Sequence, residues 1–147
     1  MSLKSDHSSD AAAIAVADSV GLSGNELAIA MLEQSQDCIK ILSIDGHLEF
    51  MNCNGLAAME IDRSELVIGK LWWELWPEPS QGFVRDKFRK AANGQEIGFK
   101  AECPTAKGSP RRWVVNMRPL FAPDGPVVSI LAVSRDTTGD NRDSRWN

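Results

Sequence analysis

The run VVSILAV, residues 127–133, constrains the fold more than any other stretch. Val127, Val128, Ile130, Leu131, Ala132 and Val133 are all apolar, whereas an antiparallel strand with one wet face alternates apolar and polar residues. The run therefore predicts a strand with both faces covered. Helices from the middle of the chain can cover one face, and the other needs a second cover. The run closes on Arg135-Asp136-Thr137-Thr138, a charged, hydroxyl-rich cap suited to joining the strand to something beyond it.

Turn chemistry sets the order of elements around this strand. Asp45-Gly46 is a hairpin signal between two β-rich runs, about 38–44 and 47–53. Lys107-Gly108 and Asp124-Gly125 separate three further strands, 96–103, 111–121 and 126–136. Between the two β regions, NGLAAMEIDRSELVIGKLWWELW lacks strand alternation and reads as short helical turns broken at Gly69. SQGFVRDKFRKAANG is an amphipathic helix with Phe83, Val84, Phe88, Ala91 and Ala92 on one face, stopped by Asn93-Gly94.

Upstream, Ser23-Gly24-Asn25-Glu26 is a capping box that opens a helix over 23–36, with Leu27, Ala28, Met31 and Leu32 on one face. Residues 1–22 read as a mobile arm and 139–147 as a tail or the start of a linker. The predicted class is α+β. A five-stranded antiparallel sheet carries short helices on one face and the 23–36 helix as a cap on the other.

Several function classes are excluded. The net charge of −4, with no long basic run, argues against a nucleic-acid surface. No apolar run approaches the roughly 20 residues of a membrane span. The stretch AAAIAVADSV is too short, and too close to Asp6 and Asp10, for a secretion signal. Cys38, Cys53 and Cys103 form no Cys-x-x-Cys pair, and with only His7 and His47 the chain offers no zinc spacing. The thiols read as reduced, in a cytoplasmic protein. Glu49, Glu74, Glu96 and Glu102 are scattered without a His or Tyr partner, so no catalytic residue is assigned and the chain is read as a non-enzyme.

In this order the pieces resemble a PAS domain over about residues 37–138. ILSIDGHLEFMNCNGLAAM is similar to the family's opening hairpin, with an Asn leading into the first short helix. LVIGKLWWELWP is similar to its Gly-Lys and aromatic segment, and RRWVVNMRPLFAPDGPVVSILAVSRDTT to its two closing strands. Thr137 stands where the family usually carries an aliphatic residue, which weakens packing of the exit segment. The resemblance implies a sensory and protein-interaction module. A pocket lies between sheet and helices, and the signal exits through Arg135, Asp136, Thr137 and Thr138 to an output domain such as a histidine kinase, in cis or in trans. The chain is then either a fragment cut after that exit or a module that acts on a separate partner.

The family's cofactor variants can be tested against the residues. Residues 80–94 hold no His, Cys, Met or Tyr to ligate haem. The segment Leu71–Trp76 has no Cys for a flavin adduct, and Asn52-Cys53 lies in the wrong place for one. Without Tyr there is no phenolic partner for a yellow-protein chromophore. No cofactor is expected, and a non-covalent flavin walled by Trp72 and Trp73 is the one left open. The candidate pocket lining is Trp72, Trp73, Trp76, Phe83 and Phe88, with Asn52 and Met117, suited to a small apolar or aromatic metabolite. A homodimer through Leu27, Ala28, Met31 and Leu32 would cover the outer face of the sheet. The alternative is a scaffold that dimerises without binding any small molecule.

Overall fold

The computed structural model describes residues 24–139, so the arm at 1–22, Ser23 of the capping box and the tail beyond Gly139 lie outside the described residues. Helix α1, Gly24–Gln34, belongs to a unit of its own, and a second unit begins at Ser35.

The second unit opens with β1, Cys38–Ser43, and β2, Leu48–Met51. They are joined at Asp45-Gly46, where Gly46 takes a φ of 95° that glycine adopts without strain. The hairpin ends two residues earlier than predicted, because Asn52 leaves the strand to cap helix α2, Cys53–Ala58. Turns of 3-10 helix at Ser64–Leu66 and Trp72–Leu75 follow. Helix α3 spans Glu78–Ala92. It starts ahead of Ser80 because Pro79 in its first turn has no N–H to leave unsatisfied. The chain then runs through β3, Ile97–Glu102, β4, Arg112–Phe121, and β5, Val127–Asp136.

All five strands are antiparallel, in the order β2-β1-β5-β4-β3. The apolar run 127–133 thus lies in the central strand, between β1 and β4. Its two faces are not equally covered. Ile130, Ala132 and Ser134 are buried, while Leu131 and Val133 are half-buried and Val128 is 52% exposed. The reason is lateral shielding. Leu131 sits between Ile41 and Arg118, and Val133 between Ile39 and Asn116. Cross-strand neighbours take up part of the apolar surface without a full second layer.

On the inner face, Leu42, Val115, Met117, Ile130 and Ala132 meet Val84, Phe88 and Ala91 of α3. That spacing defines the buried stripe of the helix. Phe83 lies off it and is 46% exposed, stacked edge-on against Phe99 with the Lys87 ammonium over its ring.

Candidate functional site

Between the inner face of the sheet and the short helices lies a cavity of about 380 Å³. Strand alternation puts Cys38 and Lys40 of β1, Trp113 of β4 and Ser134 of β5 on its sheet side. Met59 and Ile61 come from the end of α2, Trp72, Leu75 and Trp76 from the 3-10 turn, and Cys103 and Thr105 from the loop after β3. The exposed Pro104 and Ala106, with half-buried Pro77, form the rim. Trp72 and Trp76 meet edge to face, centroids 5.7 Å apart, a favourable aromatic geometry. The Trp113 indole donates to the Cys103 carbonyl at 3.0 Å and ties wall to loop.

The polar content is concentrated at Lys40, which is only 3% exposed. Its Nζ donates to Ser134 Oγ at 2.8 Å, to the Cys38 carbonyl at 3.1 Å and to Cys38 Sγ at 3.3 Å, and stands 5.8 Å from the Trp72 ring centre. Burial pushes the Cys103 thiol up to about 11, against the pull of the Lys40 charge. Cys103 is therefore protonated at neutral pH. Among the described residues no cluster of His, Cys, Asp and Glu could hold a metal ion.

The predicted lining residues separate. Trp72 and Trp76 line the cavity. Trp73, one residue away, points to the other side of the turn. There it packs on Phe88, centroids 5.3 Å apart, and over Gly46. Phe88 and Met117 belong to the filled core, and Phe83 lies outside. Asn52 is fully buried but is a clasp rather than a wall. Its Oδ1 accepts from the Ile39 and Gly55 amides and its Nδ2 donates to the Asp37 carbonyl, all at 3.0 Å. Lys40, Cys38, Cys103, Trp113 and Ser134 were missed. For Lys40 a signal existed: in CIKIL the alternation with Cys38 and Leu42 places the one charged residue on the inner face.

The rim loop is fastened to α2. That helix ends in a Schellman arrangement, with Ile61 N–H donating to Leu56 O and Glu60 N–H to Ala57 O. Glu60 holds the left-handed position, φ 56°, usually taken by glycine. Its half-buried carboxylate accepts from the Thr105 and Ser109 hydroxyls, while the Ala106 amide donates to the Met59 carbonyl at 2.9 Å. The Ser109 and Thr105 bonds, helped by Arg111 and Lys107 and opposed by burial, hold the Glu60 carboxyl below its ordinary 4.5.

A lowered folded-state value means that this contribution is present above pH 4.5 and is lost as pH falls through the folded value. Glu60→Gln should therefore be less stable than wild type at neutral pH. The gap should close when urea unfolding is repeated well below pH 4.5. A gap of constant size across that range would show that the carboxylate charge contributes nothing.

At the end of β5, Arg135 is exposed and Asp136 pairs with Arg111 at 3.3 Å. Thr137 is buried: its amide and its hydroxyl both donate to the Arg112 carbonyl, at 2.8 and 3.3 Å. The expected loss of packing from the missing aliphatic residue is thus met by hydrogen bonds. Thr138 Oγ1 accepts from the Arg112 amide at 2.7 Å. On α1, Leu27 and Leu32 are half-buried, and Ala28 and Met31 are exposed.

Comparison with solved structures places this architecture. The PAS domain of an HTR-like protein from Haloarcula marismortui superposes with a TM-score of 0.64 at 24% identity, over 76% of this chain and 90% of that one. A PAS domain from Colwellia psychrerythraea gives 0.67 at 14% identity, over 75% and 93%. A domain of a sensory box sensor histidine kinase/response regulator from Geobacter sulfurreducens gives 0.64 at 21% identity, over 76% and 93%. No curated protein sequence matches. The family model of the PAS fold matches residues 32–142, most of the chain, and the chain belongs to the PAS family.

Proposed function

We propose that this chain is a sensory module that takes a small apolar or aromatic metabolite into the cavity and passes its occupancy to an output domain. The observation that carries the reading is the cavity itself: about 380 Å³, walled by Trp72, Trp76 and Trp113 and reached over an exposed rim. This size and lining suit a one- or two-ring molecule. A route to the exit is short, because Ser134 on the cavity wall directly precedes Arg135 and Asp136. The output is a histidine kinase or similar domain, in cis or in trans. PAS domains are generally sensory modules rather than enzymes, and no catalytic step is assigned to this chain.

The same reading has the module without a resident chromophore, non-covalent flavin included, and as a cytoplasmic homodimer. Among the described residues no helix is long and apolar enough to cross a membrane. The dimer would use α1 and the outer face of the sheet, where Met31 is 66% and Val128 52% exposed. These exposed apolar side chains also favour the second reading, a scaffold that dimerises and binds no small molecule.

Native mass spectrometry with an absorption spectrum reads ligand, colour and subunit count together. The expected result is a colourless dimer whose melting temperature rises by several degrees with an aromatic ligand at about 100 times Kd, a gain of about 2.7 kcal/mol. A dimer that stays empty and unshifted would select the scaffold. A visible absorption band at one equivalent would overturn the chromophore-free reading, and a monomer at micromolar concentration the dimer.

A further inference from the structure

The geometry points to a ligand with a carboxylate: the cavity is a site for a small aromatic acid, its ring among Trp72, Trp76 and Trp113 and its carboxylate on Lys40 and Ser134. The inference rests on the cavity being a ligand site, and adds the chemical class of the ligand.

The first observation is a buried charge without a counter-charge. Lys40 is 3% exposed and lines the cavity, yet its hydrogen bonds go to a hydroxyl, a carbonyl and a sulfur. None of the ion pairs among the described residues includes it. No Asp or Glu lines the cavity, and the Cys103 thiol beside it is protonated. Buried ammonium groups are ordinarily paired, so the missing partner is an anion that comes from outside.

The second observation is spare donor capacity beside it. Ser134, 4% exposed, accepts from Lys40, and its own hydroxyl hydrogen has no acceptor among the described residues. The bond from Lys40 to Cys38 Sγ, 3.3 Å long, goes to a weak acceptor and is the one a carboxylate oxygen would replace. The second oxygen would take the Ser134 proton. Buried donors in native proteins are normally satisfied, so the Lys40 and Ser134 pair on the cavity wall suits an acceptor-rich ligand.

Indole-3-acetate against indole-3-acetamide, and phenylacetate against phenylacetamide, are the probes, because each pair keeps the ring and changes the charge. Calorimetry on the full chain should show each acid binding about ten- to a hundredfold more tightly than its amide, the ratio expected for a hydrogen bond to a charged group. In Lys40→Met, which keeps the length and removes the charge, the ratio should fall to about one. The variant should melt no lower than wild type, since an uncompensated buried charge is gone. Lys40→Gln keeps donors without the charge, and serves if the Met variant does not fold.

Equal binding of acid and amide by wild type, or an acid preference that survives in either variant, overturns the inference. Binding of the amides alone overturns it while leaving the cavity as a ligand site. If none of the four probes binds at millimolar concentration, the inference fails. If neutral aromatics also leave the melting temperature unmoved, the proposed function fails with it.

Discussion

Asn52→Ala should lower the unfolding free energy by about 3–5 kcal/mol, because it leaves two buried amides and a part-buried carbonyl without partners at about 1–3 kcal/mol each. The groups are the Ile39 and Gly55 amides and the Asp37 carbonyl. The substitution also removes the N-cap of α2. No water can replace the lost bonds without opening the junction, since Asn52 has no exposed surface. Gly55 makes the site tighter still: a Cβ there would lie 2.6 Å from Asn52 Oδ1 and 2.8 Å from Cys38 Sγ. Urea unfolding checks the loss, with exposed Asn116→Ala as a control expected within about 0.5 kcal/mol of wild type. A loss below about 1 kcal/mol for Asn52→Ala would mean that the junction relaxes and that the clasp is not what joins β1 to α2.

Gly46→Ala should cost roughly 2–5 kcal/mol, from about 1–2 for a left-handed backbone and about 1–3 for overpacking. The added Cβ would lie 2.3 Å from the Trp73 ring, closer than atoms can approach. The ring cannot easily retreat. The Trp72 amide donates to the Gly46 carbonyl at 2.9 Å, and His47 bridges to Leu71, so turn and aromatic segment are held together. The same bond sets Trp72 in the cavity wall, so under the proposed function the substitution should also weaken binding of an aromatic ligand. A double-mutant cycle separates the causes. In a Trp73→Ala background the clash disappears, and the cost of Gly46→Ala should fall to the backbone part alone, about 1–2 kcal/mol. An unchanged cost in that background would assign the whole effect to φ and none to the ring.

These two sites show which parts of the molecule could be read before it was folded. The turn at Asp45-Gly46, the Asn that leads into α2 and the stop at Asn93-Gly94 are written in residues a few positions apart, because turns and caps are local chemistry. The strands and α3 followed from periodicity, and their number and order were enough to recognise the family. At finer grain the local signals competed. α3 begins at Glu78 rather than Ser80 because proline is welcome in a first turn. The hairpin is shorter than its β-rich composition suggested because Asn52 was needed as a cap.

The lining of the site was legible only in part. Trp72 and Trp73 are adjacent and chemically identical, yet one faces the cavity and the other plugs the hairpin turn. Composition cannot rank them, since in a 3-10 turn one step changes direction by about a third of a circle. Phe83 and Val84 pose the same problem on α3, where the smaller residue is the buried one.

By itself the sequence determined the secondary elements, the α+β class and the family, all of which depend on neighbours along the chain. Tertiary structure alone decided that Lys40 meets Ser134, 94 positions away, that β5 is central with one face only partly covered, and that a space remains between the tryptophans. The physical reason is that a cavity is the part of a core that packing leaves unfilled. It depends on how remote elements dock, and no local pattern of side chains records it.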